Sequence, residues 1–167
     1  TDVAAVVHVM LRFPPTCGRY RPLSRGTTLL RALGAAIIAG PQLDGTFRFH
    51  ARGQGLGQMC VLGTFSEYTV VPEASIVKID DDIALDTAAL VGCGVTTGYG
   101  SVVRTGEVRD GDAVVVMGVG GIGMNAVQGA RVAGARLIVA PDPGEFQRKR
   151  SQECGATHTA AAPEEAQ

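Results

Sequence analysis

The chain contains no tryptophan, and Phe and Tyr together make up only 5% of its 167 residues. Any core is therefore built from Val, Ala, Leu and Ile. An excess of charge of one sign is also missing, since 15 basic residues face 16 acidic ones and the formal net charge is −1. A partner held chiefly by charge, such as nucleic acid or an anionic membrane, is not expected. Cysteine is scarce: Cys17, Cys60, Cys93 and Cys154 form no C-x-x-C pair. That excludes a disulfide framework and makes a reducing cytoplasm the expected setting. No apolar run approaches the roughly 20 residues that a helical membrane span needs. No basic segment opens the chain as in a signal peptide, and no internal repeat is evident. The chain begins at Thr1, not Met, inside a strand-like run, so upstream sequence is expected.

What the chain has in quantity is glycine, 23 in all. Gly118, Gly120 and Gly123 carry the G-x-G-x-x-G spacing, with Gly121 and Ile122 between them. The first such glycine permits a tight turn, the second lets backbone approach a pyrophosphate, and the third lets helix and strand pack closely. The flanks give the spacing its meaning. Residues 113–117 are uniformly apolar, which predicts a parallel strand buried on both faces. Ile122, Ala126, Val127, Ala130 and Ala133 recur near helical spacing, and Gly134 can close that helix with a left-handed residue. Residues 137–140 read as the next buried strand. Asp142 follows, about 20 residues beyond the last glycine, where an acid can accept from two ribose hydroxyls. Strand, glycines, helix, strand and acid in this order predict a dinucleotide site. An acid at that point favours NAD, because it would repel the extra phosphate of NADP. Asp142-Pro143 also resembles a helix N-cap with proline at the first helical position.

The first 80 residues read differently, as short strands with many turns. Strands are expected over 3–13, with His8 as a hydrogen-bonded core residue, and over 65–72 and 75–79. Loops or hairpins are expected around 45–50, a basic loop over 17–31 and a short helix over 29–39. The acidic run Asp80-Asp81-Asp82 reads as a solvated turn. Asp86 is placed to cap a helix over 87–91, with Gly92-Cys93-Gly94 breaking it and a further helix over 96–103. Read from its residues alone, Cys93 is a small buried core residue. On the last helix, Arg148-Lys149-Arg150 is expected to face solvent, with Phe146 and Cys154 as its apolar positions. Thr157 can open a third strand.

Several stretches resemble the zinc-type alcohol dehydrogenases of the medium-chain dehydrogenase/reductase family. They are Leu62-Gly-Thr-Phe-Ser-Glu-Tyr-Thr-Val-Val71, Val91-Gly-Cys-Gly-Val-Thr-Thr-Gly-Tyr-Gly100, Gly118-Val-Gly-Gly-Ile-Gly123 and Gly155-Ala-Thr157. With Gln58-Met-Cys60 added, the likeness is greatest to actinobacterial members. Among these are the dye-linked (nitrosodimethylaniline-dependent) alcohol dehydrogenases and relatives of thiol-dependent formaldehyde dehydrogenase. The resemblance implies an α/β chain with two parts. Residues 1–92 would form part of a GroES-like β-barrel, and residues 93–167 the first half of a Rossmann doubly wound parallel sheet. It implies NAD and zinc as cofactors, a small alcohol or aldehyde as substrate, and a homo-oligomer for the intact relative. Cys93 matches one ligand of the catalytic zinc, and Thr97 a residue beside the nicotinamide.

The departures matter as much. The family's first catalytic cysteine and its His-Glu pair would lie upstream of Thr1, and one thiolate cannot hold a zinc that needs three protein ligands. The family's structural zinc lobe has the spacing C-x-x-C-x-x-C-x7-C. Counted from Cys17, its other positions hold Tyr20, Leu23 and Arg31, so that lobe is not expected to bind metal. Pro141 removes an amide at the end of the second strand. Ser151-Gln152 stands where relatives have an apolar pair. The expectation is a fragment of an NAD-dependent alcohol dehydrogenase, inactive by itself, with no complete catalytic set. A zinc-free, quinone-reductase-like oxidoreductase is the alternative, against which Cys93 counts. A non-enzymatic nucleotide-binding remnant is a third reading, favoured by the eroded cysteine lobe and Pro141.

Overall fold

A computed structural model describes residues 7–12, 40–42 and 44–161. The sequence expectations for 17–31 and 29–39, including Cys17, Tyr20, Leu23 and Arg31, lie outside the described residues. The chain is an α/β protein that divides into two compact units, Thr1–Gly92 and Cys93–Gln167.

In the first unit, β1 (Val9–Leu11) pairs antiparallel with β4 (Ile76–Lys78), Val9 opposite Lys78 and Leu11 opposite Ile76. A hairpin joins β2 (Phe49–Ala51) to β3 (Gln54–Leu56). Its two turn residues, Arg52 and Gly53, have φ of 51° and 75°. That is the type I′ geometry whose twist matches the flanking strands. Among the described residues, the buried side chains of this unit include several polar ones. Gln42 and Gln58 are both buried, and the Gln42 amide donates to the Gln58 side-chain oxygen at 2.7 Å and to the Val70 carbonyl at 3.0 Å. Gln58 donates in turn to the carbonyls of Leu62 at 3.1 Å and Val70 at 3.2 Å. Each buried amide is thus matched with acceptors, as burial demands.

Several expectations for this unit need correction. Residues 65–72 form no strand: Phe65, Tyr68 and Val70 are exposed. There the Ser66 hydroxyl donates to the carbonyls of Gly63 (3.0 Å) and Tyr68 (2.8 Å), bending the chain. His8 lies just outside β1, and its buried Nδ1 has no hydrogen-bond partner. Asp86 is not a cap. Helix α1 (Leu85–Leu90) starts two residues before the expected Thr87, with Ala84 at the N-cap and Asp86 in its first turn. Nor do Gly92 and Gly94 break the helical path. Val91–Val95 is π-helical, a wider turn in which helical backbone continues at altered register. Asp80, Asp81 and Asp82 are exposed in a turn, as expected.

The second unit holds helix α2 (Thr96–Gly100), a π-helical turn (Ser101–Thr105), β5 (Ala113–Val115), α3 (Gly121–Val132), β6 (Leu137–Pro141), α4 (Glu145–Cys154) and β7 (His158–Ala160). The three strands form a parallel sheet in the order β5-β6-β7, with Val114 opposite Ile138 and Ala140 opposite Thr159. Parallel neighbours need a crossover, which α3 and α4 provide. Ala126, Val127 and Ala130 of α3 pack with Ile138, Ala140, Val119, Val102 and Ala156 in one apolar cluster. Burying a side chain the size of Val127 stabilises by about 1.5–3 kcal/mol. Gly134, at φ 85°, follows the end of α3, a backbone shape that costs glycine little.

β5 departs from its predicted burial. Val114 and Val116 are partly buried against the cluster, whereas Ala113, Val115 and Met117 are exposed. Alternation along a strand sends these residues to opposite faces, and among the described residues β5 pairs only with β6. Helix α4 also differs: Phe146 is exposed and Ser151 is fully buried. The Ser151 hydroxyl donates to the Arg148 carbonyl at 2.7 Å, so a polar residue sits inside without an unmet hydrogen bond.

Candidate functional site

The predicted nucleotide residues lie where β5 gives way to α3. Gly118 has φ 82°, and its amide donates to the Pro141 carbonyl at 2.9 Å. Gly120 is the N-cap of α3, and Gly121, Ile122 and Gly123 form the first turn. Amides of a helix's first turn have no intrahelical partner and carry the positive end of its dipole, which suits an anion. Three glycines leave the space above that turn open. A Cβ built on Gly118, Gly120 or Gly121 would meet nothing within 4 Å. Gly123 differs, since its Cβ would lie 1.9 Å from the Gly118 carbonyl oxygen. The three motif glycines thus divide into a left-handed turn, an open approach and a close internal contact. The side chain of Ile122 is exposed.

Asp142 is brought to the same place. One carboxylate oxygen accepts from the Val119 amide at 2.9 Å, and the other accepts from Gly144 at 2.8 Å. A carboxylate has about four lone-pair sites, so acceptor capacity remains on both oxygens. The N-cap reading of Asp142 fails, because Gly144 is the N-cap of α4 and the helix begins at Glu145. Pro143 accordingly precedes the cap and is not the first helical residue. Pro141 lacks an amide, yet its carbonyl anchors Gly118, so the strand end is still tied to the glycine turn.

Thr97 is exposed on α2, and its carbonyl accepts from the Ser101 hydroxyl at 2.8 Å. The next residue, Gly98, presses against the start of α3. A Cβ there would sit 2.3 Å from the Ile122 carbonyl oxygen. The helix bearing Thr97 therefore crosses α3 beside the glycine turn. Cys93 is exposed, contrary to its reading as a core residue. Among the described residues no three of His, Cys, Asp and Glu gather as a metal site would require. Cys93 alone falls short of the three protein ligands that a catalytic zinc needs.

Sequence reasoning missed three participants. The Val119 amide and the Pro141 carbonyl are backbone groups with no residue-type signature. Arg148, expected to face solvent with its neighbours, is half-buried, and its guanidinium donates to the carbonyls of Asp142 at 2.6 Å and Pro143 at 2.9 Å. Lys149 and Arg150 do face solvent, paired with Glu145 and Glu153.

No family model matches the chain. Individual proteins do. It is 50% identical over 166 residues to the NDMA-dependent alcohol dehydrogenase of Amycolatopsis methanolica, across 99% of this chain and 45% of that one. It is 51% identical over 158 residues to alcohol dehydrogenase B of Mycobacterium tuberculosis, across 94% of this chain and 42% of that one. Among solved structures it is similar to an alcohol dehydrogenase zinc-binding domain protein from Burkholderia ambifaria, with a TM-score of 0.84 at 30% identity. That match covers 96% of this chain and 44% of the other. The chain thus spans a little under half the length of the curated relatives it matches. No helix among the described residues is long and apolar enough to cross a membrane.

Proposed function

From a kinship with the alcohol dehydrogenases that runs along the whole chain, we propose that the chain carries the NAD seat of a zinc-type member. The observation that carries the reading is the Asp142 carboxylate bound to the amide of Val119, inside an open glycine turn. In this reading the first-turn amides of α3 receive the pyrophosphate, with Gly118 shaping the turn and Gly120 and Gly121 leaving room for it. The free lone pairs of Asp142 accept the hydroxyls of the adenosine ribose, and its charge disfavours a 2′-phosphate. Thr97 stands on the helix that leads past this turn, beside the nicotinamide. When bound there, NAD would supply a hydride acceptor or donor for a primary alcohol or aldehyde.

The two units are, in the same reading, part of a GroES-like barrel and the first half of a Rossmann domain. Cys93 supplies one thiolate toward a catalytic zinc that needs three protein ligands. By itself the 167-residue chain is then expected to hold zinc weakly and to lack alcohol dehydrogenase activity, as a fragment of a cytoplasmic, oligomeric enzyme. Titration calorimetry with NAD and NADP tests the seat: NAD should bind and NADP should bind at least tenfold more weakly. Heat from neither would favour a remnant that keeps the fold and has lost the ligand. Stoichiometric zinc by elemental analysis, together with NAD-dependent turnover of an alcohol, would overturn the expected inactivity.

A further inference from the structure

Arg148 is the fourth residue of α4. A cation this close to a helix N-terminus meets the positive end of the dipole and gains nothing from the helix. The other charged residues of the helix pair with each other, Lys149 with Glu145 and Arg150 with Glu153. Arg148 instead turns back onto the segment before the helix, where one guanidinium nitrogen donates to the Asp142 and Pro143 carbonyls. The same segment is tied from its other side. Asp142 accepts from Val119 and Gly144 through its side chain, and its own amide donates to the Ala160 carbonyl at 3.0 Å.

We propose that Arg148 is a positioning residue for the adenosine ribose: it fixes the 142–144 turn from the carbonyl side, so that both Asp142 oxygens meet a ribose diol at the correct spacing. This rests on the reading of the glycine turn as an NAD seat. Hydrogen bonds from a charged donor are roughly twice as strong as neutral ones, and here two of them hold consecutive carbonyls. Without them the turn keeps the Asp142 bonds to Val119, Gly144 and Ala160 but has no side-chain anchor on its carbonyl side, so its peptide planes, and the carboxylate with them, can rotate. A ligand offering two hydroxyls loses most from that rotation, while a ligand offering one loses little.

The test uses the full chain and two ligands, ADP-ribose and its analogue lacking the adenosine 2′-hydroxyl. Arg148→Met keeps the aliphatic stem and removes the donors. It should weaken ADP-ribose about tenfold and change the 2′-deoxy analogue by less than about twofold. Arg148→Lys should recover part of the loss, since an ammonium can still donate to carbonyls without the planar fork. Equal losses for both ligands would mean that Arg148 merely holds the fold, and no loss for either would mean that the turn needs no anchor; each result overturns the proposal. If Arg148→Met does not fold by circular dichroism, the same ligand difference between Arg148→Lys and the parent chain decides. A parent chain that binds no ADP-ribose would instead sink the NAD reading itself, an outcome separate from any effect of Arg148.

Discussion

The two units are held together by different chemistry among the described residues. In the second, the fully buried side chains are mostly small and aliphatic: Val119, Val127, Ala130, Ile138 and Ala140. In the first, Gln58 and Ser75 are as deeply buried as Val61, and Gln42 nearly so. An apolar core is non-directional, and its stability scales with the area removed from water. A buried amide pair adds little net stability but penalises every arrangement that leaves a donor unmet. The second unit should therefore respond to lost volume, and the first to lost hydrogen bonds.

The largest effect is expected from volume. Ile138→Ala removes three carbons at the centre of the β5-β6-β7 sheet and should cost about 2–5 kcal/mol. Hydrogen exchange should register the loss first in amides of the second unit. Protection falling equally in both units would mean that the two do not respond separately.

Next comes the amide pair. Gln58→Leu leaves the Gln42 side chain without its nearest acceptor, at a cost of about 1–3 kcal/mol. The double change Gln42→Leu with Gln58→Leu should cost less than the sum of the two singles, because both unmet groups are then gone. Additive losses in denaturant melts would show that the pair acts through packing alone. Smaller still is Gly118→Ala, where φ of 82° would place a Cβ in the left-handed region at roughly 1–2 kcal/mol. That substitution should weaken NAD more than it lowers the melting temperature, since the turn lies at the proposed seat and outside the apolar cluster.

The same contrast explains how much of the fold was legible in the sequence. The β5-α3-β6 passage was legible because strand, glycine turn and helix each impose their own residue pattern within 30 or so residues. The side-chain contact from Asp142 to Val119 was not, because its partner is an amide that any residue but proline would supply. The Gln42–Gln58 pair carries no period, and nothing in either neighbourhood marks a buried amide. Phe65, Tyr68 and Val70 mimic a strand in spacing, but the Ser66 hydroxyl bends the backbone there. Arg148 looked like its neighbours because composition does not tell which of three adjacent cations finds carbonyls.

The smallest expected effect lies on the surface of the first unit. Asp44 accepts from the Thr46 hydroxyl at 2.6 Å and amide at 2.9 Å, and pairs with Arg48 at 2.8 Å. The Thr46 hydroxyl bond first, and then Arg48, hold its carboxyl well below its ordinary value of 3.8. A carboxyl lowered by folding contributes stability that is present above the unfolded value and lost as pH falls below it toward the folded one. The charge here is fully exposed, so solvent screening keeps the contribution slight. Asp44→Asn should therefore leave the neutral-pH melt nearly unchanged and shrink the difference between melts at pH 5 and pH 3. An unaltered difference would assign the acid sensitivity of this unit to other carboxylates.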